Sequence, residues 1–421
     1  MIESELRLQT EETKEFDMES RRFALVFIGP PTSGKSTLAN YIAETLHLPI
    51  IQGSRIINPN LIPTDGRLID DDVFNESLER RLALEPSTGH IFDGIPRTKS
   101  QAKVIAEWSK KSGFPLHVID LNMEDTEVTE RTLNREVCSS CHESYHHKVK
   151  PALNSGVCDI DGSNLVRRMD DNDSAIKNRL DQFRNERDIL LETLKENGAT
   201  IHTFDANGKL GETSRTVFKE LSPLAFEDPE LATKYFEFRD LCEQEKIDFM
   251  LVSGACSYIY RGRRPLKDLD IIVPSSDDLA KISGKTGIPT EKVESSYASS
   301  QYLNFSSGVE LVSDLSVLYS ENGEAQKVPF DFEDLNQDSR VVRFFGESCK
   351  IMSPEWLIVF KACLGRAGTD DFGHNKNDYQ DAFDVTISQP VDFNRISDIA
   401  KRIGAEARVN SGLEIVKNSG F

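Results

Sequence analysis

Long apolar runs are absent from this chain. None approaches the roughly 18–20 residues that a membrane-spanning helix needs, so no such span is expected. The first twenty residues, MIESELRLQTEETKEFDMES, are acidic and lack the apolar stretch of a secretory signal. They read as a mobile leader, residues 1–21, with a docked helix as the alternative. Positive charge is in deficit: 50 Lys and Arg face 70 Asp and Glu, a net charge of -20. That balance argues against non-specific attraction to nucleic acid or anionic membrane. There is no internal repeat and no low-complexity tract. The seven cysteines are too odd a number for a disulfide framework. Three of them, Cys138, Cys141 and Cys158, cluster, which favours a reducing cytoplasm and a metal site.

What is present is alternation. The length, 421 residues, predicts two or three domains. From residue 22, strand-like "RFALVFIG", "HIFDGIPR", "PLHVIDLNM" and "ATIHTFDANG" are separated by helical "GKSTLANYIAETLH", "QAKVIAEWSKKSG" and "SAIKNRLDQFRNERDILLETLKENG". This order predicts an α/β fold, a parallel sheet flanked by helices, over residues 22–221. Pro223 and Pro229 mark a linker at 222–230. A second mixed α/β domain is expected over 231–385, followed by a tail of one or two surface helices, 386–421.

The segment "GPPTSGKST" follows the first predicted strand and opens the first predicted helix. Its Gly29-x4-Gly34-Lys35-Ser36 spacing is that of a phosphate loop. Gly29 and Gly34 let successive backbone N–H groups turn inward around an anion, at the positive end of the helix. Lys35 is expected on the β- and γ-phosphates, and Ser36 on Mg²⁺. Pro30, Thr32, Ser33 and Thr37 complete the ATP-binding loop. Downstream, "FDGIPRTKSQA" sets Asp93, Gly94, Pro96, Arg97 and Gln101 at the end of another strand.

With both segments in view, residues 22–221 resemble the adenylate kinase family of nucleoside monophosphate kinases. The resemblance implies that Arg97 holds the acceptor monophosphate, Gln101 reads its base, and Asp93 orients waters on Mg²⁺, with Gly53 and Gly94 also at the acceptor site. It assigns Arg131 to the donor base. Lys35, Arg97, Arg135, Arg168 and Arg179 become the cations that clamp the transferred phosphoryl group. Arg131 and Arg135 are spaced i, i+4, one face of a predicted helix. Arg167 lies beside Arg168, and Asp170 and Asp171 follow it as arginine-positioning hinge residues. "CSSCHESYHHKVKPALNSGVCDID" gives Cys138-x2-Cys141-x16-Cys158-x2-Asp161, a spacing that suits tetrahedral, structural Zn²⁺. His142, His146 and His147 rival Asp161 as fourth ligand. The implied zinc-binding lid spans about 136–172.

Departures from the family pattern fall in the acceptor region, about 52–75. In "IIQGSRII", Ser54 stands where the family has aspartate and Ile57 where it has arginine, with Arg55 out of phase. Only 57 residues separate Lys35 from Asp93, a shortened span. Loss of one charged phosphate contact costs about 1.5–3 kcal/mol of binding.

In the second domain, "VSGACSYIYRGRRPLKDLDIIVP" sets Gly254 and Ala255 ahead of Asp268 and Asp270 on a predicted strand. Alternate strand residues face one side, so this carboxylate pair suits Mg²⁺. The segment resembles the minimal nucleotidyltransferase family, whose third carboxylate is Glu310 here, with Asp314 as rival. Lys361, Lys376, Asp378 and Asp381 echo that family's helical end. Arg261, Arg263 and Arg264 are either triphosphate ligands or a solvated loop. The expected activity is transfer of the γ-phosphoryl of ATP to a nucleoside monophosphate, AMP first, with Mg²⁺ and structural Zn²⁺. The alternatives are a nucleotidyltransferase acting on a protein, RNA or small molecule, and a non-catalytic ATP-binding regulator. No membrane partner is expected, and no nucleic acid for the first domain.

Overall fold

A computed structural model describes residues 23–57, 69–84, 89–141, 143–167, 173–260, 265–295, 298–321, 324–364 and 376–418. It divides into two compact units, Met1–Glu220 and Leu221–Phe421.

The first unit begins with β1 (Ala24–Ile28), α1 (Lys35–Leu46), β2 (Ile50–Gln52), α2 (Gly53–Ile56) and α3 (Asp71–Leu84). β3 (Ile91–Asp93), α4 (Lys99–Ser112), β4 (Leu116–Asn122) and α5 (Asp125–Leu133) follow. Next come β5 (Arg135–Cys138), β6 (Ser144–His146), β7 (Leu165–Val166), α6 (Asp173–Glu196), β8 (Thr200–Asp205) and α7 (Leu210–Ala225). Five strands form a parallel sheet in the order β2-β3-β1-β4-β8. Its strands are apolar on both faces because helices cover both, as β1 illustrates with five buried residues. Ala24, Val26, Phe92 and Val118 pack against Ile105, Leu190 and Leu194 of α4 and α6. Helix α4 starts where the Thr98 hydroxyl accepts from the Gln101 N–H, and stops at left-handed Gly113. A separate antiparallel sheet, β6-β5-β7, forms the cysteine-containing insert.

The parallel sheet was expected with four strands and has five; the added edge strand, β2, is three residues long and too short to show a period. The stretch expected as a linker begins inside α7, which continues past Pro223 to Ala225. In the second unit α8 (Leu231–Glu245) leads into β9 (Met250–Leu251), α9 (Ser253–Ile259), β10 (Leu269–Ile272) and α10 (Ser276–Thr286). β11 (Glu291–Glu294), β12 (Ala298–Ser306), β13 (Val309–Glu321) and β14 (Glu324–Pro329) come next. They are followed by α11 (Phe332–Gln337), β15 (Arg340–Phe344) and β16 (Glu347–Ile351). The chain ends with α12 (Pro354–Cys363), α13 (Lys376–Ser388), α14 (Phe393–Arg402) and α15 (Glu406–Asn418).

Seven strands run β11-β12-β13-β10-β9-β16-β15, with β14 added on β13. β10 is parallel to β13, and β9 to β16; the other pairs are antiparallel. Helix α12 is apolar nearly all round, and Trp356 to Cys363 are all buried. The segment expected as a surface tail instead supplies core. Ile396 and Ile399 of α14 and Val409 of α15 are at most 1% exposed. No helix among the described residues is long and apolar enough to cross a membrane.

Candidate active site

The loop between β1 and α1 places Gly34 at the helix start with φ +91°, a left-handed backbone angle that only glycine adopts freely. The Lys35 ammonium folds back into the loop, donating to Gly29 O at 2.7 Å, Pro30 O at 2.6 Å and Ser33 Oγ at 3.3 Å. Burial lowers its pKa to about 8; Asp93 opposes that shift and Arg97 adds to it. β3 lies beside β1, so its last residue, Asp93, reaches the start of α1, and Ser36 Oγ donates to Asp93 Oδ1 at 2.9 Å. These hard oxygen donors fit Mg²⁺. Thr32 Oγ1 donates to Pro31 O at 2.6 Å.

Across the same end of the sheet, Arg97 donates through Nε to Gly94 O at 2.9 Å. Arg97 is exposed at the cleft surface yet flanked by protein, and its pKa is lowered. Desolvation is the main cause, Asp93 counters it, and Arg179 adds like-charge repulsion. Asp93 therefore acts on both Lys35 and Arg97, Arg97 also on Lys35, and Arg179 on Arg97. Gln101 is 2% exposed; its Oε1 accepts from the Arg97 N–H at 2.8 Å and its Nε2 donates to Asp71 Oδ1 at 3.1 Å. Gly53 opens α2 against this loop. A Cβ there would lie 2.5 Å from Ile95 Cγ2 and 3.2 Å from Gly94 O.

Beyond the phosphate loop is a cavity of about 160 Å³. Thr32, Lys35, Thr37, Arg131 and Arg135 line one side, and Tyr145, His146, Val149 and Lys150 of the cysteine insert line another. Arg131 and Arg135 do not share a helix face, as their spacing suggested. α5 stops at Leu133 and Arg135 opens β5, yet both reach this cavity. Arg131 is 4% exposed and held by Glu127 at 2.6 Å, Asn207 O at 2.9 Å and Gly208 O at 2.7 Å. Lys150, which pairs with Glu143, was not anticipated. Arg168, Asp170 and Asp171 lie outside the described residues, and Arg167 is exposed.

Cys138, Cys141, Cys158 and Asp161 present ligand atoms all within 4.8 Å of one another. Cys138 Sγ is 3.3 Å from Asp161 Oδ1, and Cys141 Sγ is 3.6 Å from Cys158 Sγ. A tetrahedron with 2.3 Å zinc–sulfur bonds has edges of about 3.8 Å, so the set fits Zn²⁺. The Ser163 N–H, donating to Asp161, helps to hold its carboxyl well below the usual range. His146 turns away from this cluster. Its Nδ1 accepts from the Lys148 and Val149 N–H groups, and its Nε2 faces Glu130 at 3.2 Å. His147 is exposed and stacks on His146; His142 lies outside the described residues. All seven cysteines are free thiols.

A buried clamp also went unanticipated. Asp120, on β4 and fully buried, accepts from Arg187 of α6 at 3.2 and 2.6 Å and from Thr203 Oγ1 at 3.1 Å. It ties α6, which carries Arg179, to the sheet.

In the second unit, Asp268 precedes β10 rather than lying within it. Asp270 stands in register with Glu310 on the parallel neighbour β13. Burial, followed by the charge of Asp268, raises the Asp270 pKa; burial, followed by Asp270 and Asp268, raises that of Glu310. Asp314, the rival, is exposed with φ +50°. Lys361 is buried with Asp381 at 2.8 Å and Asp378 at 3.2 Å, and its charge also acts on Asp270. Arg261, Arg263 and Arg264 lie outside the described residues. Lys376 opens α13, with its side chain likewise outside.

The parallel sheet, the loop at the start of α1 and the cations around it define a phosphate-loop nucleotide-binding unit of the kinase type. The family description "Adenylate kinase, active site lid" matches residues 135–170, and "AAA domain" matches 28–144. The adenylate kinase of Trichlorobacter lovleyi is 35% identical over 170 residues, covering 37% of this chain and 79% of that protein. Those of Caldicellulosiruptor saccharolyticus and Streptomyces coelicolor are each 29% identical over 214 and 212 residues, 47% of this chain and 98% and 97% of theirs. In its N-terminal half the chain belongs to the adenylate kinase family.

Proposed function

We propose that the first half of this chain moves the γ-phosphoryl group of ATP to a nucleoside monophosphate, with AMP as acceptor. One arrangement carries the reading: Ser36 of the donor loop bonds Asp93 at 2.9 Å, and the charges of Asp93 and Arg97 both reach Lys35, so donor-side and acceptor-side groups meet at the end of β3. The loop from Gly29 to Thr37 would wrap the donor phosphates, with Lys35 swinging from its carbonyl partners onto them. Arg131 would bound the donor base, and Arg97 would grip the acceptor phosphate as a bidentate fork. Arg135, Arg168 and Arg179 would neutralise charge as the acceptor oxygen bonds to the γ-phosphorus and the bond to the β–γ bridging oxygen breaks. The acceptor phosphate is itself the nucleophile, so no general base is needed. Ser36 would hold Mg²⁺ and Asp93 would orient the waters on it; the ion would neutralise phosphate charge. Cys138, Cys141, Cys158 and Asp161 would hold Zn²⁺ as a fold element of the lid, about 136–172. A reducing, cytoplasmic setting belongs to the proposal, in keeping with the free thiols.

The purified full chain is tested for ADP formation from ATP with each monophosphate. Turnover with AMP supports the reading; ATP binding with no monophosphate turned over refutes it.

A second reading concerns residues 231–385, as a nucleotidyltransferase unit with Asp268, Asp270 and Glu310 around Mg²⁺. Its support is the register of Asp270 with Glu310 and the raised pKa of each, burial being the main cause for both and Asp270 adding to that of Glu310. Labelled NTP incorporated into a target, and lost in Asp270→Ala, supports it. ATP binding with neither activity favours a non-catalytic regulator.

A further inference from the structure

We infer that Asp71 is a positioning residue that fixes the Gln101 side-chain amide in one orientation and thereby sets the base preference of the acceptor. The inference rests on the monophosphate kinase reading. Gln101 sits at the third position of α4, almost fully buried. Its Oε1 accepts from the Arg97 N–H at 2.8 Å, and its Nε2 donates to Asp71 Oδ1 at 3.1 Å. The same Asp71 oxygen accepts from Thr98 Oγ1 at 2.8 Å. Both partners of the amide are one-way groups. A backbone N–H only donates, and an ionised carboxylate only accepts. Turning the amide over would set N–H against N–H and carbonyl oxygen against carboxylate, leaving buried polar groups unpaired.

With the amide fixed, its remaining capacity is one N–H on Nε2 and one lone pair on Oε1. A neighbouring donor and acceptor in that order suit adenine, whose N1 accepts and whose 6-amino group donates. Hypoxanthine presents the reverse, an N1–H donor and an O6 acceptor. Discrimination of AMP from IMP therefore depends on the orientation that Asp71 enforces.

The test is kcat/KM for AMP and for IMP, measured on the full chain and on Asp71→Asn, with KM for ATP and the melting temperature read alongside. An asparagine can itself turn over and donate, which releases the Gln101 amide. The AMP-to-IMP ratio is expected to fall at least tenfold while KM for ATP stays within twofold. Asp71→Ser, which also removes the carboxylate, reads the same ratio should the first variant fold poorly. An unchanged ratio, with both substrates slowed equally or neither slowed, overturns the inference and leaves Asp71 a purely structural residue of α3. A wild-type chain inactive with every monophosphate brings down the kinase reading instead, and this inference with it.

Discussion

Binding of ATP to this chain is expected to take up a proton above neutral pH, because of where Lys35 rests in the phosphate loop. Its ammonium is drawn among carbonyl oxygens, and burial lowers its pKa from 10.5 to about 8. At pH 8.5 about three-quarters of the molecules then hold a neutral Lys35, and at pH 6.5 only a few per cent. Triphosphate requires the charged form, so about three-quarters of a proton is taken up per ATP bound at pH 8.5 and almost none at pH 6.5. The sign for folding runs the other way from the usual lysine. Because the folded pKa is depressed, the unfolded chain binds more protons between pH 8 and 10.5. The lysine therefore opposes folding fully below pH 8, and that cost fades as pH rises to 10.5. The shift corresponds to about 3 kcal/mol. Titration calorimetry of MgATP binding in two buffers of different ionisation enthalpy measures the proton count. Lys35→Arg, charged at both pH values, should show no uptake from this source. Equal uptake in wild type and Lys35→Arg at pH 8.5, or none in either, would refute the reasoning.

Three further outcomes follow from the geometry. Gly53→Ala drives a Cβ to 2.5 Å from Ile95 Cγ2, so it should cost about 1–3 kcal/mol and raise KM for the acceptor more than for ATP; thermal melts and steady-state kinetics check both. Asp120→Asn leaves Arg187 without its buried carboxylate and should cost about 3–5 kcal/mol, read as a lower denaturant midpoint with an unchanged slope. Elemental analysis should find one zinc per chain, lost in Cys158→Ser together with at least tenfold in kcat; a metal-free chain with full activity contradicts the zinc assignment.

The sequence revealed those parts of the fold whose pattern is local. β1, β3, β4 and β8 are apolar runs closed by glycine or polar loops, and the helices between them are long enough to show a period. The phosphate loop was legible because glycine spacing, strand and helix coincide within nine residues. The i, i+4 reading of Arg131 and Arg135 failed at Asn134, where α5 ends; both side chains reach one cavity by a turn rather than a face. Asp120 was unreadable as a clamp because its partner, Arg187, is 67 residues away. Lys150 and Asp71 belong to no motif, and nothing local in the sequence sets them apart from the many charged residues around them. The C-terminal helices read as a tail because they follow the last strand and carry no motif; burial of Ile396, Ile399 and Val409 comes with packing of α14 and α15 on α12, which sequence distance hides.

The most direct test of the central claim is the effect of Arg97→Met on each substrate of the purified full chain. A fork that grips the acceptor phosphate predicts kcat/KM for AMP reduced at least a hundredfold, with KM for ATP and the melting temperature little changed. Undiminished turnover of AMP by that variant would contradict the account.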